Sequence, residues 1–427
     1  MDVSYRIRGG IPLRGDVSVG GSKNAALPLI AGSLLVAGET VLTNVPRLSD
    51  TLTLLRTLEF LGAKTSFENG TVRIDARDVK SKPIPAEYVE KLRGSIVLLG
   101  PLLARFGVAE MSYPGGCVLG KRPVVAHIEA FTQLGAQDMS NDTVLHLQGQ
   151  LKPGRVVLPE FSVTATENVL LAAALLPGET TVELAAAEPH VQDVEDFIAT
   201  MGAGVVGRGS HTVTVRGRTD VRGVTHRVTS DYLEAGCLIL AGLLTHGKVR
   251  VTDVEDSHLV SFLDVLRRAG AVIVTNSAAK TITVDGEASA LKEMQVRTNI
   301  FPGFPTDLQA PMGVAMTQAT GVSRIFERLF EGRMAYLYEL EKMGARIEIL
   351  NAHQALIIGP TALKGGRSVA SNDIRAGAAM VLAALCAEGE TIITDVRYIE
   401  RGYDRLDEKL RSLGAVIERM ETAPAVS

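Results

Sequence analysis

Six times along this chain a helical pattern closes on a short residue pair, Gly-Ala. The copies are Leu61-Gly62-Ala63, Leu134-Gly135-Ala136, Met201-Gly202-Ala203, Ala269-Gly270-Ala271, Met343-Gly344-Ala345 and Leu413-Gly414-Ala415. The glycines recur every 67–74 residues. Self-similarity at such a period is the signature of one supersecondary unit copied along the chain. Each glycine suits the position just past a helix end, where a left-handed backbone is needed and a Cβ is unwelcome. A β-rich segment follows in most copies, as at 212–216 and 281–284.

A second element lies upstream of each Gly-Ala. It is an Ala/Leu-rich run opened by polar residues: Ser22-Lys23-Asn24, Gly94-Ser95, Thr164 to Asn168, Ser230-Asp231, Thr306-Asp307 and Asn372-Asp373. Ser, Thr, Asp and Asn can accept the orphan N–H bonds of a first helical turn. The runs are apolar almost all round, which predicts buried helices at the centre of a domain. One copy reads helix, strand, helix, strand, strand, an α/β unit, and three copies make a domain. The 427 residues suit two such cores. The expected boundary lies near 221–229, giving a first domain of 22–229 and a second of 1–21 with 230–427. A strand-like stretch at 17–19 could complete either. Helix starts gathered at one end of each domain, facing across a cleft, would attract anions.

Composition removes other classes. Net charge is −4 with no Lys/Arg block, aromatics are 4% and Trp is absent. Neither nucleic acid nor a membrane surface is suggested as a partner. Apolar runs at 25–35 and 169–176 are shorter than the about 18 residues a spanning helix needs. The first sixteen residues lack the apolar core of a secretory leader. Three scattered cysteines suggest neither a disulfide framework nor a zinc site, so a reducing cytoplasm is the expected compartment and no metal is expected.

The segment 114–123, Pro-Gly-Gly-Cys-Val-Leu-Gly-Lys-Arg-Pro, replaces an ordinary strand-to-helix connection. Three glycines loosen it, and Lys121 and Arg122 favour the thiolate of Cys117. Cys237 and Cys386 lie in apolar helices and read as core. Lys23, Arg93 and Arg375 fall at helix starts, and Arg333 and Arg401 in the loops before second helices. Cations there oppose the helix dipole, so as a set they favour a multiply charged anionic ligand. Asp307 is the best general-base carboxylate, with a plain helix-start role as the alternative. His127 and His190 read as loop residues without a triad or metal spacing.

Residues 20–27, the cysteine loop, 304–309 and Arg401-Gly402-Tyr403 together resemble the enolpyruvyl transferases over essentially the whole chain. The cysteine loop places the resemblance nearest the branch that uses a UDP-sugar; the shikimate 3-phosphate branch lacks that loop. The resemblance implies an inside-out α/β barrel in each domain and no cofactor. It implies transfer of the enolpyruvyl group of phosphoenolpyruvate to the 3′-hydroxyl of UDP-N-acetylglucosamine, with release of phosphate, the first committed step of peptidoglycan synthesis. It assigns Cys117 as mobile acid and Asp307 as acceptor of the hydroxyl proton. It gives Lys23, Arg122 and Arg401 to the phosphate, and Arg333 and Arg375 to the carboxylate. For the nucleotide sugar it implies Asn24, Arg93, Arg122, Pro123, Val124, Val125, Ala126, Ser162, Val163, Thr164, Asp307 and Leu329. Val125 stands where the family usually has Asp, and Tyr232 where it usually has Arg. Another UDP-sugar as acceptor therefore stays open; a silent anion-binding scaffold is a separate alternative, against which the intact set of Lys23, Cys117, Arg122, Asp307 and Arg401 argues.

The loop chemistry sets an expectation. A phosphonate epoxide of the fosfomycin type should alkylate Cys117 first, because flanking cations can seat the phosphonate beside the sulfur. Peptide mass mapping after brief labelling checks this; equal labelling of Cys237 and Cys386 would contradict it.

Overall fold

The six Gly-Ala glycines each follow a helix in the computed structural model, which describes residues 2–115, 124–366, 368–371 and 373–422. These helices are Ser49–Leu61, Val125–Gln133, Pro189–Thr200, Val260–Arg268, Tyr336–Lys342 and Leu406–Ser412. The glycines hold φ between +96° and +112°. In every copy the N–H of the following alanine donates to the carbonyl five residues back, from Ala63→Leu58 to Ala415→Leu410, at 2.9–3.1 Å. That bond closes the last turn and redirects the chain into a strand.

The apolar runs form the first helices of the copies: Lys23–Gly32, Leu99–Phe106, Val163–Ala173, Tyr232–Leu244, Gln309–Gln318 and Ile374–Cys386. Every residue of Tyr232–Leu244 is buried. No described helix is long and apolar enough to cross a membrane. The expected polar starts are partly corrected. Ser22, Asp231 and Asp373 do cap their helices through the side chain. In the third copy Ser162 is the cap, and Thr164 to Asn168 lie inside the helix. In the second and fifth copies the helix opens through 3-10 turns, Arg93–Leu98 and Thr306–Leu308, without a side-chain cap. Ser95 instead donates to the Leu92 carbonyl at 2.7 Å. His127 and His190 are buried in first helical turns rather than in loops.

Among the described residues, strands form five four-stranded sheets and one of three strands. Each four-stranded sheet has a parallel edge strand that leads into a first helix, an element the helix-strand-helix-strand-strand pattern did not contain. In two sheets these leads are exchanged. Arg14–Ser18 precedes Lys23–Gly32 but pairs with Lys248–Thr252. Thr225–Arg227 precedes Tyr232–Leu244 but pairs with Glu39–Thr43. Asp2–Arg8 lies between Glu390–Thr394 and Val416–Thr422, supplying the sixth copy's missing strand.

The described chain divides between Gly20 and Gly21 and between Thr229 and Ser230. The first unit holds residues from Gly21 to Thr229; the second joins the opening twenty residues to those from Ser230 onward. Each has its own hydrophobic core of about three copies' side chains, with helices inside and sheets outside. This is the inside-out α/β barrel.

Two of the glycines separate backbone strain from crowding. A Cβ at Gly202 would meet nothing within 4 Å, whereas at Gly270 it would lie 2.4 Å from the Ala290 carbonyl oxygen. Gly202→Ala should cost about 1–2 kcal/mol, the left-handed penalty alone. Gly270→Ala should cost more, by the about 1–3 kcal/mol of overpacking. Urea unfolding of the two variants gives the comparison.

Candidate active site

In the second unit Pro305 ends an extended segment, and the 3-10 turn Thr306–Leu308 feeds the helix Gln309–Gln318. Asp307, on that turn, is free to face two arginines. Its Oδ1 accepts from Arg333 Nη1 at 2.5 Å, and its Oδ2 accepts from Arg375 Nε at 3.0 Å. Arg375 Nη2 approaches the same oxygen at 2.9 Å. Arg333 comes from the 3-10 turn Glu331–Met334. Arg375 sits in the first turn of Ile374–Cys386, whose cap Asp373 accepts from the Arg375 and Ala376 N–H groups, both at 2.7 Å.

Both guanidinium side chains are 6–7% exposed, against 25% for Asp307. Burial alone would oppose charge on Asp307. The guanidinium charges of Arg375 and Arg333, and the bonds they donate, outweigh it and hold the carboxyl well below the usual carboxylate range. Two cations face one anion, and Arg333 Nε and Arg375 Nη1 are buried with no partner among the described residues. Such a cluster has donors to spare for a second carboxylate.

Behind it, Arg375 lies over the Tyr403 ring, 5.2 Å from its centroid. The Tyr403 hydroxyl is 3.3 Å from Cys237 Sγ. Burial pushes the Cys237 and Cys386 thiols up to about 12, as expected of core cysteines rather than nucleophiles. Arg401 ends the 3-10 segment Val396–Arg401, two residues before Tyr403. Leu329 is 40% exposed on the segment leading to Arg333.

In the first unit Lys23 opens its helix and pairs with Asp50 at 3.3 Å; Asn24 follows it, half-buried. Arg93 Nη1 donates to the Pro114 carbonyl at 3.2 Å, at the near end of the cysteine loop. Cys117, Lys121, Arg122 and Pro123 lie outside the described residues. Val124 precedes the helix Val125–Gln133, on which Ala126 is buried and Val125 is 49% exposed.

Ser162 caps Val163–Ala173, accepting from the Ala165 N–H at 3.4 Å. Thr164 Oγ1 lies 3.1 Å from His127 Nε2. Asn168 Nδ2 lies 3.0 Å from His127 Nδ1 and donates to the Ile96 carbonyl, while its Oδ1 accepts from the Gly100 N–H. The amide therefore donates to Nδ1, and the Nε2–H of a neutral ring points at Thr164. Burial, then the Arg93 charge, pushes His127 down to about 3, so the ring is neutral across the physiological range.

The structure thus brings Asp307, Arg333 and Arg375 into one cluster, and sets Arg93 and Thr164 around His127. His127, Asn168 and Tyr403 were missed as site neighbours, because their importance lies in contacts with residues well separated from them along the chain. Among the described residues, no group of three or more His, Cys, Asp or Glu side chains could hold a metal.

The depressed Asp307 carboxyl has a signed consequence for stability. It contributes stability above its unfolded pKa of about 3.9, and that contribution is lost as pH falls toward the lower folded value. Asp307→Asn should therefore destabilise the protein at pH 7, with a deficit that narrows below about pH 4. Denaturant melts of both proteins from pH 3 to 8 read this; a constant deficit would remove the ion cluster as its cause.

The family model of EPSP synthase (3-phosphoshikimate 1-carboxyvinyltransferase) matches residues 7–410. The UDP-N-acetylglucosamine 1-carboxyvinyltransferase 2 of Carboxydothermus hydrogenoformans is 41% identical over 417 residues, covering 97% of this chain and 99% of that one. The UDP-N-acetylglucosamine 1-carboxyvinyltransferase of Chlorobium phaeovibrioides is 41% identical over 419 residues, covering 97% and 98%. In fold, an enolpyruvyl transferase from Streptomyces tendae superposes with a TM-score of 0.88 at 24% identity, covering 99% of this chain and all of that one. The EPSP synthase of Acinetobacter baumannii superposes at 0.77 with 20% identity, covering 98% and 100%. With a barrel of this kind in each unit and likeness along the whole chain, the protein belongs to the enolpyruvyl (carboxyvinyl) transferase family.

Proposed function

We infer that this enzyme transfers the enolpyruvyl group of phosphoenolpyruvate to the 3′-hydroxyl of UDP-N-acetylglucosamine and releases phosphate, a step of peptidoglycan synthesis. The observation that carries this is the 41% identity, end to end, to transferases named for that acceptor. The reaction is addition followed by elimination. The sugar oxygen bonds to C2 of phosphoenolpyruvate, its proton leaves, and a proton is delivered to the C3 methylene. C3 then loses a proton, the C2–O bond to phosphate breaks, and the double bond is restored.

Those steps need a base at the hydroxyl, an acid at C3 and cations around the leaving phosphate. Asp307 serves as the base and Cys117 as the acid. Lys23, Arg122 and Arg401 hold the phosphate, and Arg333 and Arg375 the substrate carboxylate. Asn24, Arg93, the segment 122–126, Ser162, Val163, Thr164 and Leu329 hold the nucleotide sugar. The cluster geometry supports the carboxylate role, since Arg333 Nε and Arg375 Nη1 remain as donors. It also qualifies the base. Clamped by two guanidiniums, Asp307 is a weak proton acceptor. A substrate carboxylate that shares the same two cations withdraws part of their hold, and the basicity of Asp307 rises as the reactants assemble.

Phosphate release measured with phosphoenolpyruvate and a panel of UDP-sugars tests the reading. UDP-N-acetylglucosamine should give the highest rate, and Asp307→Ala should lower turnover about 10²–10⁴-fold. A higher rate with another UDP-sugar would reassign the acceptor, as Val125 leaves room for. No release with any acceptor would identify a silent scaffold.

A further inference from the structure

One buried acidic residue near this cluster carries no role in the reaction described so far. Glu327 follows the strand Gly321–Phe326 and is fully buried. Its side chain accepts four hydrogen bonds. Oε1 takes the Thr298 hydroxyl at 2.8 Å and the N–H groups of Leu329 and Phe330 at 2.9 and 3.2 Å. Oε2 takes the Thr306 hydroxyl at 2.8 Å. The Glu327 backbone is fixed as well: its N–H donates to the His353 carbonyl, and its own carbonyl lies 2.8 Å from His353 Nδ1.

These bonds reach the active-site cluster along two routes. Thr306 Oγ1, while donating to Glu327, accepts from Arg333 Nη1 at 3.1 Å, and Thr306 directly precedes Asp307. The bonds to Leu329 and Phe330 fix the entry to the turn Glu331–Met334, which carries Arg333. The Arg333 guanidinium also lies 4.9 Å from the centroid of the Phe330 ring. One carboxyl thus ties the turn bearing Asp307 to the turn bearing Arg333.

We propose that Glu327 is a positioning residue for enolpyruvyl transfer: through the Thr306 hydroxyl it sets the register between Asp307 and Arg333. This rests on the assignment of Asp307 as base. A burial requirement alone would be met by any side chain of the right size. The arrangement instead uses both oxygens of one carboxyl against donors from three chain segments, and the Thr306 hydroxyl as a relay with its proton committed to Glu327 and a lone pair to Arg333. Glu327→Gln retains the volume and leaves an oxygen for the three donors at Oε1. It places an amide N–H against the Thr306 hydroxyl, which must then turn its own proton away. Thr306→Val removes the relay altogether, and Thr306→Ser keeps it.

The experiment is a double-mutant cycle on the full-length protein, reading kcat, KM for phosphoenolpyruvate and thermal midpoint. Glu327→Gln and Thr306→Val should each lower kcat at least about tenfold, within the range that misplacing a reacting group produces. Each should melt cooperatively, and Thr306→Ser should recover kcat to within about threefold of the parent, as intact relay geometry requires. The double variant should be no slower than the slower single, because both changes cut one path. A purely structural role would lower the thermal midpoint and the folded fraction while leaving kcat per folded molecule unchanged, and that result overturns the proposal. Losses that multiply in the double variant also overturn it. If Glu327→Gln fails to fold, the Thr306 pair decides: Thr306→Val with the parent kcat defeats the proposal. Asp307→Ala, measured alongside, separates the two readings. An inactive Asp307→Ala beside fully active Glu327→Gln and Thr306→Val refutes the positioning role alone. An active Asp307→Ala refutes the base assignment and the positioning role with it.

Discussion

A helix that is apolar on every side has no face to offer water, and this constraint orders the rest of the molecule. Tyr232–Leu244 is buried along its whole length, so it needs cover all round. In the second unit three core helices pack on one another, in the first Val163–Ala173 packs on both Lys23–Gly32 and Leu99–Phe106, and sheets enclose both sets. Their sides are then committed to packing. Polar chemistry reaches the core helices mainly at their ends, where Lys23, Ser162, Asp307 and Arg375 sit; Asn168, inside Val163–Ala173, is an exception whose amide is bonded to Ile96, Gly100 and His127. The Gly-Ala terminations serve the same plan from outside. Each ends a second helix abruptly and returns the chain to the strand that covers the core.

Charge placed at those buried ends has to be matched. An isolated ion there would be expensive, and pairing offsets the cost only with good geometry. Asp307 meets the condition with two guanidiniums, and the excess of one positive charge leaves directed N–H groups. His127, on the neighbouring second helix Val125–Gln133, meets it in the opposite way, by staying neutral. The Asn168 amide fixes which nitrogen carries the proton, so its N–H is aimed at Thr164 without a charge to stabilise. The second unit therefore presents an electropositive cluster, whereas the His127 site of the first is a neutral hydrogen-bonding one beside Arg93.

The repeat was legible in the sequence because its glycines answer a backbone demand that few other residues meet. All six have positive φ, and the copies they end could be counted from spacing alone. Helix openings were less legible. Thr306 and Asp307 look like cap residues by type, yet a 3-10 turn turns Asp307 toward arginines 26 and 68 residues away. Cap propensity is local, and the competing partner is not. Glu327 did leave a trace. Ser323 and Ile325 alternate on the inward face of their strand, and the next inward position is Glu327. A carboxyl where alternation calls for an apolar side chain signals a bonded polar group. The exchanged lead strands left little: Arg14–Ser18 showed only as a strand-like stretch at 17–19 that could complete either domain, and the three-residue edge strand Thr225–Arg227 has too little pattern to reveal which sheet it joins.

That exchange explains why the chain crosses between units where it does. Arg14–Ser18 and Thr225–Arg227 each finish in one unit just before a core helix that belongs to the other. The crossing backbone must be satisfied within each unit separately, and it is. In the second unit the Asp231 N–H donates to the Gly20 carbonyl at 2.9 Å, and the Gly20 N–H donates to buried Glu234 at 2.7 Å. In the first, the Ser22 N–H donates to the Thr229 carbonyl at 2.8 Å, and the Thr229 N–H donates to buried Asp193 at 2.9 Å. Ser22 and Asp231 are also the caps of the helices that begin there. The same residues therefore end a crossing, start a core helix and precede a proposed ligand, Lys23, by a single position in the first unit. A helix start fixed by a cap and a strand bond at once has little freedom to slide, which keeps Lys23 in register with the core that supports it.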